Sequence, residues 1–305
     1  MGLADFWKNE RDVLKECGSL VFDVNELLLP GQTRYLHLFE ARFISLFEEA
    51  MKDNHNVFAF AFSSGAGELL RVVTLVEIDD YQKLSVGVGV TVRGVGRALI
   101  EQIPEVEPYI KTRILPYDDQ PIGDSPALDI QSAEVAEQIY QLHEGLLTRE
   151  RDTKIASSVS KELAVDPRAL LTPQSAAPTV EANVNDESPD LDSLRTRVRV
   201  ARMAQTKSIS VAPSGYEAVL ERALLSFLAL EGCDLERKLK AFHGRSTVQR
   251  LQICRDAVDE RSKILAAKNT IRTLNLSWDK ESTDSPLADD RSDRGSERER
   301  GEDVV

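Results

Sequence analysis

Hydrophobic spacing divides the chain into a first half with strand periodicity and a second half with helix periodicity. "LVFDV" (20–24), "NVFAFAF" (56–62), "ELLRVVTLVEI" (68–78), a β-rich run from Lys83 to Ile103 and "EPYIKTRILPY" (107–117) all read as strands, the last stopped by Pro116. "DFWKNERDVLKECG" predicts a short helix closed by Gly18, within a leading segment 1–18. After "DDQPIGDSP" the period lengthens. A helix is predicted over 132–152, with Val135, Ile139, Leu142 and Leu146 on one stripe, and further helices over 215–231, 234–243 and about 247–274. The last keeps Leu251, Cys254, Val258 and Leu265 in register. Residues 173–193 are rich in Pro, Ala, Ser, Asn and acids and read as a disordered linker, and the sequence from Asp279 onward has a similar charged, serine-rich character. There is no internal repeat.

The run "VGVGVTVRGVGR" (86–97) invites comparison with a phosphate-binding loop. Alternation argues otherwise: Leu84, Val86, Val88, Val90 and Val92 share one face, and Ser85, Gly87, Gly89, Thr91 and Arg93 the other. A dinucleotide loop must leave its strand and open a helix whose N–H groups meet the phosphate. Here β-branched residues continue on both sides, and the parity slips near Gly94 as at a bulge. The run reads as a strand. No GxxxxGK[ST] and no GxSxG occurs anywhere.

"LLLPGQTRYLHLFEARF" (27–43) gathers the most suggestive chemistry. A helix starting at Leu36 would place Glu40 inside the apolar arc of Leu36, Phe39, Phe43, Phe47 and Ala50, where a carboxylate needs a partner. Alternatively "RYLHLF" is extended and Glu40 stands at a helix N-terminus, where negative charge is favoured. His37 with Glu40 could be half of a metal site, but no second pair completes it. A hydrolase built on His37 and Glu40 would need a nucleophile such as Ser45 or Cys17 brought close by the fold. Nothing in the spacing demands one, and a structural role is the simpler expectation.

Apolar residues make up 42% of the 305 positions, enough for a substantial core. No apolar run reaches the roughly 18 residues of a membrane span, and the N-terminus lacks the apolar stretch of a secretory signal. Cys17, Cys233 and Cys254 fit neither a zinc spacing nor a disulfide framework, which points to a reducing intracellular compartment. The net charge of −13 is uneven: residues 174–193 carry −5 and residues 279–305 carry −5, leaving −3 for everything else. The basic cluster Arg195, Arg197, Arg199, Arg202 and Lys207 directly follows the first acidic tract, and reads as a helix flank or a foil for it. Sequence-independent binding to a phosphate backbone is disfavoured.

The stretch from Leu27 also resembles the signature of the Lon protease N-terminal domain family, in which an apolar strand leads to Pro-Gly and then to a Phe-Glu-x-Arg-aromatic helix start. The matching residues are Leu29, Pro30, Gly31, Leu36, His37, Phe39, Glu40, Arg42 and Phe43. Family members often carry proline where this sequence has Ala41, which suits the first turn of a helix and favours the reading with Glu40 at its start. "LSVGVGVTVRGVGRALI" is similar to the family's long strand, with its glycine-x-x-arginine step at Gly94 and Arg97. The resemblance covers about residues 19–117 well and 130–274 more loosely.

It implies an α+β fold: a PUA-like β pseudo-barrel over 19–125, then a helical bundle over 130–275 with a disordered insertion at about 153–213 and a disordered acidic tail at 279–305. It implies capture of polypeptide clients, or docking on a protease or assembly machine, with no catalysis, cofactor or metal of its own. The sequence departs from full-length Lon in holding neither the ATPase motor nor the serine–lysine protease domain. Standalone forms of the domain place it in the cytoplasm, or in the plastid stroma once a transit peptide is removed. The expected partners are protein or unfolded polypeptide, without a membrane span. RNA binding, which PUA-like folds can perform, is the alternative, and an undetected hydrolase ranks below it.

Overall fold

The computed structural model describes residues 2–7, 12–121, 126–163, 193–206 and 215–281. Two compact units divide the protein, Met1–Leu265 and Ala266–Val305. The first holds α1 (Leu3–Phe6), β1 (Lys15–Asp23), β2 (Thr33–Leu38), α2 (Ala41–Asp53), β3 (Val57–Ser63), β4 (Val72–Lys83), β5 (Val88–Glu105), β6 (Ile110–Pro116), α3 (Pro126–Leu163), α4 (Leu194–Thr206), α5 (Tyr216–Leu228) and α6 (Leu235–His243). The boundary between the units falls within α7 (Thr247–Glu281), whose last turns are the described part of the second.

The six strands form one mixed sheet in the order β2-β5-β4-β3-β1-β6, and β5 pairs again with β6 to close a ring. Among the described strands only β1 and β3 pair in parallel. β5 has two neighbourhoods along its length: Val88–Arg93 pair with β2, Ala98–Glu105 pair with β6, and β4 runs beside both. Between them Leu75 lies opposite Gly96 and Val76 opposite Gly94, so Val95 is the extra residue of a bulge. The parity slip near Gly94 is therefore real, and the glycine-rich run is a strand from Val88 onward. Val86, expected within that strand on one face with Val88, Val90 and Val92, lies instead in the Ser85–Gly87 turn, where Gly87 takes φ +78°.

β3 shows why its sequence reads as an uninterrupted apolar run. Its alternation sends Phe58, Phe60 and Phe62 into one core, shared with α2 and the helices that follow the sheet, and Val57, Ala59 and Ala61 into a second. Neither face meets water, as in strands covered on both sides. Phe6 and Trp7 complete the second core beside Cys17 and Ile114.

Those contacts also overturn the helix expected through Gly18. Among the described residues of this segment helix covers only Leu3–Phe6, and Lys15–Ser19 pair with β6 from Ile114 to Ile110. The ladder and the burial of Cys17 outweigh a weak helical propensity. The insertion expected over 153–213 is likewise corrected. α3 continues to Leu163, and α4 is a helix with Leu194, Val198 and Ala201 buried, a stripe at steps of four and three that packs into the main core. The disorder expected over 164–192, 207–213 and 282–305 lies outside the described residues. Among the described residues no helix is long and apolar enough to cross a membrane.

Candidate functional site

The signature stretch is a seam in which backbone meets backbone. Gly31, at φ +90°, turns the backbone so that its N–H donates to Gly94 O at 2.8 Å, while Gly94 N–H donates to Gln32 O at 2.9 Å. A Cβ on Gly94 would meet Leu29 O at 2.8 Å, so the strand can come this close only without a side group there. "RYLHL" is extended and α2 starts at Ala41 with Glu40 as its N-cap, which settles the two readings of this stretch. Glu40 makes no capping bond through its carboxylate but accepts from Arg42 Nε at 2.8 Å, and the Arg42 guanidinium lies 4.5 Å from the Phe43 ring centroid. Leu36 and Phe43 pack partly buried against the main core.

His37 and Phe39 take a different role. Alternation along β2 turns Leu36 inward and Tyr35 and His37 outward. His37 Nε2 is 2.7 Å from Val86 O, and its ring centroid is 5.7 Å from that of Phe39. Tyr35 lies across Gly89, where any larger residue would collide with its ring. Tyr35, Phe39 and Val86 are 55%, 59% and 64% exposed. Together they make an aromatic strip on the outer side of the β2–β5 pair. Among the described strands β2 pairs with β5 alone, and none of them pairs with its other edge.

Arg97 organises the opposite end of β5. Its Nη1 donates to Gly244 O at 2.8 Å and also to Phe242 O, and its Nη2 donates to Asp119 Oδ1 at 2.6 Å. Arg250, almost wholly buried, donates to the same carboxylate through both terminal nitrogens and to Ser226 Oγ through Nε at 3.0 Å. Thr247 Oγ1 adds a fourth tie to Asp119 at 2.9 Å. The carboxylate thus joins β5 to α7, and its two arginines extend the network to α5 and the end of α6. Burial, reinforced by the neighbouring Arg250 charge, brings Arg97 down to about 10. Burial pushes Asp119 up, but its bonds to Arg250 and the charges of Arg250 and Arg97 prevail and hold it below the ordinary carboxylate value.

The groups considered for hydrolysis do not meet in an open site. Cys17 is fully buried beside Thr112, and burial pushes its thiol up to about 12, far from a reactive thiolate. His37 is on the outer strip, and Ser45 Oγ donates to Ala41 O at 3.1 Å within its own helix. Among the described residues no group of three potential metal ligands occurs. Three members of the basic cluster pair with acids of the helical half, while the acidic tract before it lies outside the described residues. Arg195 pairs with Glu137 at 3.2 Å, Arg197 with Glu231, and Arg202 with Glu221 at 3.0 Å. Arg199 is exposed, and Lys207 lies outside the described residues.

The described residues thus form a ring of mixed strands tied to a helical half, with an exposed aromatic strip at its outer side. The model of the ATP-dependent protease La (LON) substrate-binding domain matches residues 21–191, more than half of the protein, which belongs to that family. The matched region is a non-catalytic module with a protein-binding role. Two solved structures are similar. The N-terminal domain of Lon protease from the Mycobacterium avium complex is 14% identical with a TM-score of 0.37, over 80% of this protein and 98% of its own length. A Lon N-terminal domain protein from Xanthomonas campestris is 19% identical with a TM-score of 0.31, over 40% of this protein and 71% of its own length. No curated protein matches the sequence.

Proposed function

We propose that the protein is a non-enzymatic recognition module that receives extended or unfolded polypeptide on the strip formed by Tyr35, His37, Phe39 and Val86. The observation that carries this reading is the exposure of three large apolar residues together, along a strand whose outer edge no described strand pairs with. Clustered apolar exposure of this kind is uncommon on a soluble domain unless something covers it. An added strand would gain main-chain hydrogen bonds from β2, and its side groups would lie against the aromatic rings. This favours client capture over docking on a folded machine, because an open edge accepts an extended segment rather than a preformed surface. The RNA-binding alternative draws little support from the basic cluster, since Arg195, Arg197 and Arg202 are matched by Glu137, Glu231 and Glu221.

A peptide array tiled from permanently unfolded proteins tests the reading. The wild-type protein should retain spots rich in apolar and aromatic residues, and the double variant Tyr35→Ser, Phe39→Ser should lose them. Equal retention by both proteins, or no retention by the wild type, would overturn it.

A further inference from the structure

A second polar feature lies outside the strip and the Arg97 network. A cleft of about 620 Å³ opens between the start of β2 and the helices α4 and α6. Four cations line it, Arg34, Arg93, Arg197 and Lys238, against two carboxylates, Asp79 and Glu231. The wall therefore has a charge of +2 in a protein of net −13. The Arg93 guanidinium arm is only 6% exposed and gives Nε and Nη2 to Asp79 at 3.0 and 2.9 Å, yet its Nη1 is buried without an acceptor. Arg34 repeats the pattern. Its Nη2 donates to Glu26 O at 2.7 Å, its guanidinium lies 5.4 Å from the Phe22 ring centroid, and its buried Nη1 has no acceptor. A buried guanidinium donor left empty is unfavourable in a finished interior, and both arginines line one cleft, so a small rotation of each side chain would bring its empty donor to an anion held there.

We propose that this cleft binds a carboxylate belonging to a polypeptide ligand, with Arg34 and Arg93 as its donors. Asp79 and Glu231 disfavour a dianion more than a monoanion, which sets phosphate behind carboxylate. Leu27, Leu28, Val200 and Leu228 line the same cleft and give the polypeptide bearing the carboxylate an apolar bed. The carboxylate has two sources, an acidic residue within the ligand or the ligand's own C-terminus. The proposal rests on the reading of the protein as a polypeptide-binding module and gives that module a charge preference.

The test is NMR titration of the arginine Nε–Hε signals in the full-length protein. The probes are three peptides of equal length and one apolar composition: one with a central glutamate and blocked ends, one with glutamine and blocked ends, and the glutamine peptide with a free C-terminal carboxylate. Inorganic phosphate is the fourth probe. We expect saturable shifts of Arg34 and Arg93 with the glutamate or the free-carboxylate peptide, and whichever responds identifies the source. Affinity should exceed that of the blocked glutamine peptide by about tenfold, the order of one charge-assisted pair. Arg34→Gln, whose partners are a carbonyl and ring faces, should remove that preference while the fold persists, and Arg93→Gln should do the same.

Tyr35→Ser should weaken all three peptides and leave their ratio intact, which separates failure of the strip from failure of the cleft. Equal binding of the charged and neutral peptides, absence of any saturable shift, or phosphate binding tighter than either carboxylate would overturn the proposal. So would a preference that survives Arg34→Gln.

Discussion

Arg93 and Arg97 sit four residues apart on β5, both buried, with the Val95 bulge between them. Beyond the bulge, the terminal nitrogens of Arg97 meet a carboxylate and two carbonyl oxygens, and that carboxylate is shared with Arg250. Before it, Arg93 spends two donors on Asp79 and keeps one empty beside a cleft. The same residue type on one strand thus serves in one place to join elements and in the other to leave a valence open. A saturated buried network fixes structure, and an unsaturated one marks where something else belongs.

The comparison breaks most visibly at Asp119. Asp119→Ala leaves Arg97 and Arg250 buried without their shared counter-charge and should cost about 3–5 kcal/mol in urea unfolding. A loss under about 1 kcal/mol would mean that the carbonyl oxygens suffice and that the Arg97 end is not a charge network. Next in size is Gly94→Ala, which forces a Cβ against Leu29 O and should lower stability by about 1–3 kcal/mol, read from the same transition. Arg93→Gln removes its pairs with the partly exposed Asp79 and, at 3.9 Å, with Glu77, together with a donor that had no acceptor, so its cost should be ~2 kcal/mol, below that of Asp119→Ala.

Acid gives a finer reading of the same contrast. Asp119 is depressed in the folded state, so its contribution is fully present above the ordinary aspartate value of about 4 and fades as pH falls below that toward the folded value. Stability measured through this window should fall more steeply in wild type than in Asp119→Asn, and parallel slopes would contradict the network. The smallest effect belongs to the outer strip: Phe39→Ser should change stability by no more than about 0.5 kcal/mol while binding is lost.

Much of the seam was legible because glycine and proline announce it: Pro30-Gly31 and Gly94 could be read as turn and bulge before any contact was known. The start of α2 needed the resemblance as well, since periodicity alone allowed a helix from Leu36. Phe39 was the instructive failure. Counted with Phe43 and Phe47 it completes a helical stripe and so reads as core, but it lies where a two-residue period gives way to a 3.6-residue one, and it faces out. The Arg97–Asp119–Arg250 network left no local trace, because its members are separated by 22 and 131 positions and gain meaning only when α7 returns to β5. The cleft was hidden for the same reason, with Arg34 and Arg93 brought opposite Arg197 and Lys238 only by the packing of α4 and α6.

Burial of β3 on both faces has a consequence for the life of the protein outside its folded state. Val57–Phe62 contains no charge, no proline and no glycine, and alternates rings with small apolar groups. Released from β1 and β4, such a segment is a template for cross-strand stacking between molecules. Heating should therefore end in fibrillar or amorphous aggregate rather than in reversible melting, and the newly made polypeptide is vulnerable until β4 has emerged to cover it. A module proposed to hold sticky polypeptide would then contain, at its own centre, a segment that needs the same protection.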